Sequence, residues 1–481
     1  MPGALMQLVA YGNENLYING NPQITFFKTV FKRHTNFATE YIEQEFRTLP
    51  NFSTDSNTIG TIKIDRNGDL IHDMYLVYDL PAIYSSESLG FKWVKNLGQR
   101  IIYSAEISVA GQRIDIQYGQ WMNIWNELNI PPGKIDAYNN LIGNINDLTN
   151  PEFYYGSIND TTTPTIPKTR LYIPLNFWFC SNPGLALPLI ALQYTEIHIT
   201  IEFNPLNYLF TIKDINNNDV SLTTFISNPD NQTVDSNFTN SFWYFINGGT
   251  TSTGWNQQTY LEVNYVYLDD DERKKFALTS HEYLIKQVHQ QKFDGLKENK
   301  TIELNIQHPV IEFMWVYQRD DAYLYNDWTN YTNILSYENF NDKNERENII
   351  NRSDYNNFLT KKTNIFNNYY DIMYSCKFIF NGKDRFHSKD FTFFNKLIPF
   401  KCHSSSPPTG IYVYSFALNP EKYQPSGNCN FSRINKAQIQ TVLRNSTKEN
   451  GEFIYYNQYL YTINYNVFRI MGGIGSIVFS S

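Results

Sequence analysis

Few side chains in this sequence are spaced for catalysis. His281 and Glu282 begin an H-E-x-x-H zinc motif, but residue 285 is isoleucine, so the second histidine ligand is missing. The glycine-rich run at 472–475 opens no helix that could present a phosphate-binding N-terminus. Neither a G-x-S-x-G nucleophile elbow nor a P-loop motif occurs. We therefore predict that the protein is not an enzyme and that it uses no cofactor and no metal.

Four consecutive acids at 269–272 are the best candidates for metal ligands. Their oxygens lack the spacing of an EF-hand loop, and Arg273, Lys274 and Lys275 follow directly. Acidic residues at the start and basic residues later suit the dipole of a short helix. A helical linker is the preferred interpretation, and a calcium site is the alternative.

The cysteines and histidines do not form a ligand pattern either. The cysteines are widely spaced without a C-x-x-C pair, which predicts reduced, mostly buried thiols rather than zinc ligands or disulfides. They are Cys180, Cys376, Cys402 and Cys429. Four scattered histidines are expected to make local hydrogen bonds, namely His34, His72, His198 and His308.

Composition favours a soluble β-rich protein. Aromatic residues are frequent at 16% and charged residues scarce at 18%, and aromatic side chains suit pleated, half-buried surfaces. The net charge of −8 argues against a surface that wraps nucleic acid, although ordinary solubility explains it equally well. The amino terminus lacks a secretory pattern, and the longest apolar run, 185–192, is broken by Pro188. A secreted or membrane-spanning chain is therefore not expected.

Strand-like runs bounded by turn residues follow the first 37 residues at the spacing of a sandwich. In the first half these runs are 38–46, 60–65, 69–79, 100–109, 170–179, 189–203 and 260–268. Asn67-Gly68 between two runs predicts a tight hairpin turn. Segments 118–128 and 391–397 are each expected to hold a short helix.

The second half repeats the order of the first. Three pairs of short segments are related by an offset of 240–242 residues: Glu40-Tyr41-Ile42 with Glu282-Tyr283-Leu284, Thr61-Ile62 with Thr301-Ile302, and Ile71 and Met74 with Ile311 and Met314. The offset is 271 for Tyr103-Ser104 and Gly111 with Tyr374-Ser375 and Gly382, and 240 again for Leu171-Tyr172-Ile173 with Ile411-Tyr412-Val413. Two copies of one unit with different loop insertions explain this pattern. We predict an all-β fold of two tandem eight-stranded jelly-roll β-sandwich domains with short helices.

Residues 1–36 are predicted to form a partly helical arm outside both sandwiches. Asn21 can cap a helix and Pro22 suits its first turn, after which apolar side chains share one face and basic side chains lie away from it. The candidate assembly residues of this arm are Asn21, Pro22, Gln23, Ile24, Thr25, Phe26, Phe27, Lys28, Phe31, Lys32 and Arg33. The basic cluster could contact an anionic membrane or DNA, and an ordinary solvated helix face is the simpler interpretation.

Six short segments spread over the whole chain carry a family resemblance. They are LMQLVAYG at 5–12, NPQITFFK at 21–28, RNGDLI at 66–71, FWFCSNPGLALP at 177–188, YLDDDER at 267–273 and YNVFRIM at 465–471. In these segments the chain resembles the major capsid proteins of nucleocytoplasmic large DNA viruses, which include chlorella virus and giant virus capsid proteins.

The resemblance implies a double jelly roll that assembles as a pseudo-hexameric homotrimer, the capsomer of an icosahedral shell around a large double-stranded DNA virus. It places the protein in the virion after assembly in the host cytoplasm. The implied partners are neighbouring capsomers, minor capsid proteins and an inner viral membrane near the arm, without direct sequence-specific contact to nucleic acid. We divide the chain into an arm (1–36), a first jelly roll (37–270), a linker (271–281) and a second jelly roll (282–481).

Three long polar segments, 129–168, 205–258 and 320–370, are expected to form an outward tower on a shell protein. N-x-S/T triplets begin at Asn159, Asn231, Asn237, Asn330 and Asn351, and glycosylation there is an open question. Other functions remain as alternatives: a lectin-like carbohydrate-binding jelly roll, and a minor capsid or spike protein. A cupin-like enzyme would need a His/Glu metal cluster, which the sequence does not show.

Overall fold

The computed structural model describes residues 3–47, 50, 52–53, 55–84, 89–151, 164–214, 219–220, 258–333, 371–444 and 453–479. Residues 1–37 form one compact unit and residues 38–481 another. The helices are α1 (Gly3–Val9), α2 (Asn15–Asn19), α3 (Leu97–Ile101), α4 (Gly119–Asn129), α5 (Ile135–Ile142), α6 (Asn146–Thr149), α7 (Asp270–Leu278) and α8 (Ile398–Cys402).

Strands up to Leu268 build the first half of the larger unit. They are β1 (Phe37–Glu45), β2 (Thr58–Lys63), β3 (Leu70–Leu80), β4 (Leu89–Trp93), β5 (Ile102–Val109), β6 (Gln112–Tyr118), β7 (Thr169–Pro174), β8 (Leu187–Pro188), β9 (Ile197–Phe203), β10 (Phe210–Asp214), β11 (Asp219–Val220) and β12 (Thr259–Leu268). One sheet has the order β1-β12-β3-β7, with β8 beside β3. A second has the order β2-β9-β5-β6, and a third, smaller sheet is β11-β10-β4.

Strands from His281 onward build the second half. They are β13 (His281–Leu296), β14 (Asn299–Leu304), β15 (Pro309–Arg319), β16 (Met373–Phe380), β17 (Lys383–Asp384), β18 (Lys389–Asp390), β19 (Ile411–Ser415), β20 (Cys429–Asn430), β21 (Ala437–Leu443), β22 (Tyr456–Met471) and β23 (Ile474–Ile477). The sheet orders are β13-β22-β15-β19 and β14-β21-β16-β17. Counted from the first strand of each half, both halves have the same two-sheet jelly-roll order, so the fold is a tandem of two β sandwiches.

The segment pairs of the sequence repeat lie on equivalent strands. They relate β1 to β13, β2 to β14, β3 to β15, β5 to β16 and β7 to β19. The pair with the offset of 271 lies at matching two-residue hairpins, where Val109 pairs with Gln112 and Phe380 with Lys383. The turn residues Ala110 and Gly111 have φ of 54° and 76°, and Asn381 and Gly382 have 49° and 78°. Two consecutive left-handed residues are the geometry of a type I′ turn, which explains the glycine in each copy.

The two halves share an apolar core. Strand β15 is buried on both faces. Phe313, Trp315 and Tyr317 point into the core of the second half, whereas Met314 and Val316 belong to a cluster that continues into the first half. Side chains alternate between the faces of a strand, so one strand contributes to both cores. The two halves are therefore joined by buried apolar side chains and not only by surface contacts.

The Asn67-Gly68 hairpin prediction is wrong. Strands β2 and β3 lie in different sheets, so the segment between them crosses from one sheet to the other. The guanidinium of Arg66 holds this crossing by donating to the carbonyl oxygens of Gln193 (2.7 Å) and Thr195 (2.9 Å). A Cβ added at Gly68 would lie 2.9 Å from Cβ of Tyr265, so close approach rather than turn geometry requires the glycine.

The predicted helix over residues 22–33 is also absent. The helices of the arm are α1 and α2, and the arm continues without helix from Gly20 to the start of β1, with a turn at 26–27. Asn21 has φ of 50°, in the left-handed region, instead of the extended conformation of a helix cap. Thr25 Oγ1 accepts the backbone N–H of Phe27 (3.3 Å), a local bond that competes with helix formation. A short helix gains most of its stability from packing, and β-branched residues such as Ile24 and Val30 weaken it further.

Other local predictions are confirmed with shifted boundaries. The acidic segment forms α7, whose N-cap Asp269 accepts the N–H of Asp270 (2.9 Å), and Arg273 pairs with Asp69 (3.0 Å). The segments predicted to be helical after the fifth strands hold α4 and a π-helix at Phe393–Leu397. The run predicted at 100–109 begins as helix α3, and the runs at 170–179 and 189–203 contain 3₁₀ turns. Residues 152–163, 215–218, 221–257 and 334–370 of the predicted tower lie outside the described residues.

Candidate assembly surface

The arm exposes large apolar side chains. Phe26 is 90% and Phe27 is 98% exposed, and Tyr17 in α2 is 94% exposed. Other strongly exposed apolar residues of the arm are Leu8, Val9, Ile18, Ile24, Val30 and Phe31. Soluble monomers rarely expose large contiguous apolar patches, so these side chains make the arm a candidate contact surface.

The predicted assembly residues of the arm lie together in sequence but do not form one helical face. Asn21 to Arg33 run through a non-helical segment in which Lys28, Lys32 and Arg33 are exposed beside the phenylalanines. His34 Nδ1 lies 2.7 Å from the carbonyl oxygen of Thr35, as expected for a local hydrogen bond. This non-helical segment therefore presents apolar and basic side chains without the single face of an amphipathic helix.

The seam between the two halves is the second built surface. Helix α4 and strand β6 of the first half pack against β13 and β22 of the second. Tyr461 donates its hydroxyl to Oε1 of Gln120 (2.7 Å), and its ring lies 6.3 Å from that of Tyr118. Asn326 Nδ2 donates to the carbonyl oxygens of Asn207 and Phe210, both at 2.6 Å. Direct hydrogen bonds and apolar packing therefore fix the two halves relative to each other.

A buried charge cluster lies at one part of this seam. The side chains of His403 and Glu312 are fully buried, with Nε2 and Oε2 separated by 3.1 Å. The other ring nitrogen of His403 lies 3.0 Å from Oδ1 of Asn129 in α4 and 3.5 Å from Glu421. Burial lowers the pKa of His403, but the two carboxylates outweigh burial and raise it to about 9. His403 is therefore protonated at neutral pH. Its ring contacts Glu312 of the second half and Asn129 of the first half.

A buried carboxylate, Asp115, lies at another part of the seam. Its Oδ1 accepts the backbone N–H of Val288 in β13 (3.1 Å), and its Oδ2 accepts from Nε2 of Gln117 (3.2 Å). Burial raises its pKa to about 7, which these hydrogen bonds only partly offset. The folded-state pKa lies above the unfolded value, so the protonated carboxyl contributes stability below about pH 4 that is lost as the pH rises through 7.

We expect Asp115→Asn to remove this pH dependence. An amide keeps an acceptor for Val288 and carries no charge at any pH. The stability of the native chain relative to the variant should fall by about 2–3 kcal/mol between pH 5 and pH 7. Urea unfolding followed by fluorescence at the two pH values measures this difference. Asp384→Asn, at an exposed carboxylate paired with Lys377, is the control and should leave the pH profile unchanged. Parallel pH profiles for native and Asp115→Asn protein would contradict the prediction.

Sequence reasoning missed the seam residues. Glu312 had a visible signal, since it is a single charge inside the apolar run PVIEFMWVY at 309–317. A charge at the centre of a buried strand requires a buried partner. His403 and Asp115 had no such signal, because their partners lie on elements far away in the chain.

The candidate metal ligands and membrane segments of the sequence can be checked on the described residues. Within those ranges, no group of three or more His, Cys, Asp or Glu side chains is arranged to hold a metal ion. No helix in the described part of the chain is long and apolar enough to cross a bilayer. The four cysteines are free thiols. His72 bonds the carbonyl oxygen of Phe179 (2.8 Å), and both polar atoms of the Asn330 side chain are hydrogen-bonded, to Asp327 and Thr332.

Comparison with known proteins gives consistent matches over nearly the whole chain. Residues 25–269 match the family described as major capsid protein N-terminus, and residues 272–476 match the large eukaryotic DNA virus major capsid protein family. The chain is 35% identical to the major capsid protein of Phaeocystis pouchetii virus and 31% identical to that of Paramecium bursaria Chlorella virus 1, with 100% of both chains covered in each case. A chain of the PBCV-1 virus capsid quasi-atomic model superposes with a TM-score of 0.69 at 25% identity, covering 95% of this chain and 100% of that one.

Proposed function

This chain belongs to the major capsid proteins of large eukaryotic DNA viruses, and we propose that it assembles as a homotrimer with a pseudo-hexagonal outline. As a member of that family it is a structural component of the virion capsid and not an enzyme. The trimer, the inner position of the arm and the domain boundaries are the parts that we propose.

The proposal of a trimer rests on one observation: both halves have the same sheet order and share a continuous core. Three copies of a chain with two similar lobes present six lobes around a threefold axis. Such a particle fills a six-coordinated lattice position with only three chains. The duplication thus has a geometrical use that a single sandwich would lack.

We further propose that the arm (1–36) is an assembly element and that the two jelly rolls span 37–270 and 282–481, joined by the linker at 271–281. The support for the arm is its exposed apolar surface together with Lys28, Lys32 and Arg33. Apolar side chains would bury against neighbouring capsomers or minor capsid proteins, and the basic groups would face an anionic surface such as an inner viral membrane. A nucleic-acid sequence is not among the proposed ligands.

Sedimentation tests the trimer. With a chain mass of 56.4 kDa, purified protein is expected to sediment at about 169 kDa, and electron micrographs should show threefold particles with six lobes. Dilution from about 20 to 0.2 µM tests stability, because obligate interfaces of this kind persist at low concentration. A monomer across that whole range, or particles with two or four lobes, would contradict the proposed assembly.

A further inference from the structure

A cavity of 380 Å³ lies on the seam between the two halves, away from the His403 cluster. Its walls come from both halves: Arg100 in α3 and Gln120 in α4, and Trp328 and the β22 residues Tyr459 and Tyr461. Cavities of this size hold a small molecule rather than only water. A ligand bound here would contact both halves at once.

Arg100 is the unusual group in this cavity. Its guanidinium carbon lies 4.0 Å from the ring centroid of Trp328 and 5.7 Å from that of Tyr208. Its Nε atom is buried without a hydrogen-bond partner among the residues that the structure describes. Burial lowers the pKa of Arg100 to about 10, and the groups that oppose this effect are tyrosines, chiefly Tyr331 and Tyr459. Stacking on aromatic rings thus holds the guanidinium of Arg100 in the cavity wall.

Three carboxylates contact residues of the cavity wall, and each has another partner: Glu127 hydrogen-bonds the side chain of Asn96, and Asp294 and Glu202 are also paired. Asp294 pairs with Lys292 at the mouth (3.0 Å), and Glu202 accepts the amide of Asn57 (2.8 Å). The remaining wall is rich in hydroxyl and amide groups, from Tyr103, Tyr118, Gln99, Gln290, Gln318 and Asn123. Gln290 Nε2 already donates to the hydroxyl of Tyr461 (2.8 Å) and Gln318 Nε2 to the carbonyl oxygen of Trp328 (3.0 Å), so the second N–H of each amide and the hydroxyls of Tyr103 and Tyr118 are the groups that can donate to oxygen atoms of a ligand. The cavity therefore combines a half-buried positive charge with several neutral donors.

We propose that this cavity binds the oxyanion group of a small molecule, with Arg100 as its main ligand. A half-buried cation that has no counter-ion among the described residues is costly, and a carboxylate or phosphate oxygen pair matches the planar fork of a guanidinium. Tyrosine hydroxyls and amides would bind the rest of the molecule. The oxyanion can be a free phosphate or the carboxylate of a sugar acid, and the volume accommodates either. The inference concerns a seam within one chain and does not depend on the trimer.

The test measures binding of three probes to the full chain by calorimetry and by Trp fluorescence. Inorganic phosphate and glucuronate represent the two sources of an oxyanion, and glucose is the neutral match for glucuronate. We expect phosphate or glucuronate to bind and Arg100→Gln to weaken that binding at least about tenfold. Arg113→Gln is the matched control, because Arg113 lies on β6 outside this cavity and pairs with Glu106 at the surface (3.8 Å). It should bind the probes as the native chain does.

Lys292→Gln covers the case in which Arg100→Gln does not fold. It leaves Asp294 unpaired at the mouth, so anion binding should weaken about threefold or more through repulsion. Stronger binding of glucuronate than of phosphate would assign the site to a sugar acid, and the reverse order would assign it to phosphate. Equal binding of glucose and glucuronate would overturn the proposal, as would equal anion effects on all variants or no anion binding to the native chain.

Discussion

Replacing His403 by leucine is expected to lower the free energy of unfolding by about 3–5 kcal/mol at pH 7. The substitution leaves Glu312 as a fully buried carboxylate without the cation that lies 3.1 Å away in the native protein. Lys286 cannot replace the imidazolium, because its ammonium group already donates to the carbonyl oxygens of Pro420 (2.6 Å) and Lys422 (3.1 Å). Chemical denaturation with fluorescence and circular dichroism measures the loss.

The double variant Glu312→Leu/His403→Leu separates the charge effect from lost packing. Removing both partners leaves no unpaired charge, so most of the stability should return. Arg469→Ala, which breaks an exposed pair with Glu282, is the surface control and should cost less than about 1 kcal/mol. A double variant as unstable as the single one would show that the ion pair is not the cause.

The same pair gives a pH dependence with a definite sign. Glu312 and Glu421 raise the pKa of His403 to about 9, above its ordinary value of 6.5. The stabilisation from the imidazolium is therefore complete below about pH 6.5 and is lost as the pH rises through 9. The advantage of the native chain over the double variant should shrink between pH 7 and pH 9.5.

Deleting residues 1–33 is expected to abolish shell formation while both sandwiches stay folded. The arm is a compact unit by itself, and no described residue before Ile42 takes part in the cores of the larger unit. We therefore expect the denaturation midpoint to stay unchanged and closed particles to fall by more than about tenfold, because the exposed apolar surface of the arm is lost. Electron microscopy counts particles, and sedimentation measures the remaining capsomer.

Two full-length variants identify which part of the arm acts. Replacing Phe26, Phe27 and Phe31 by serine removes apolar surface and keeps every charge. Replacing Lys28, Lys32 and Arg33 by glutamine removes the charges and keeps the rings. Loss of particles with the first set alone indicates a protein partner, and loss with the second set alone indicates an anionic surface. Unfolding of the deleted chain would instead show that residues 1–33 belong to a core.

The duplication could be found from the sequence because equivalent strands keep similar residues at matching positions. Ile71 and Met74 correspond to Ile311 and Met314 on central strands of the two halves, where burial restricts the choice of side chain. Gly111 and Gly382 correspond because a type I′ turn restricts the choice of backbone. Both constraints are local, so they leave a trace in sequence spacing.

The incorrect predictions concern features that depend on contacts between residues far apart in sequence. Asn67-Gly68 has the residues of a hairpin turn, but the strands on either side of it, β2 and β3, pair with strands far along the chain and not with each other. The segment therefore connects two sheets. The predicted helix over residues 22–33 would be stable only if its apolar face were packed against another surface. The apolar side chains of this segment are exposed instead. The seam partners Asp115 and Val288 are 173 residues apart, a distance at which spacing carries no information.

Strand β15, which is buried on both faces, also affects how a curved capsid shell can be built from this protein. Because the lobes on either side of it are joined by close-packed side chains, we expect the subunit to behave as one stiff body. Bending the subunit would open cavities in its close-packed interior. We therefore expect that the angular change needed to close the shell is taken up where separate subunits meet and not by flexing within the protein.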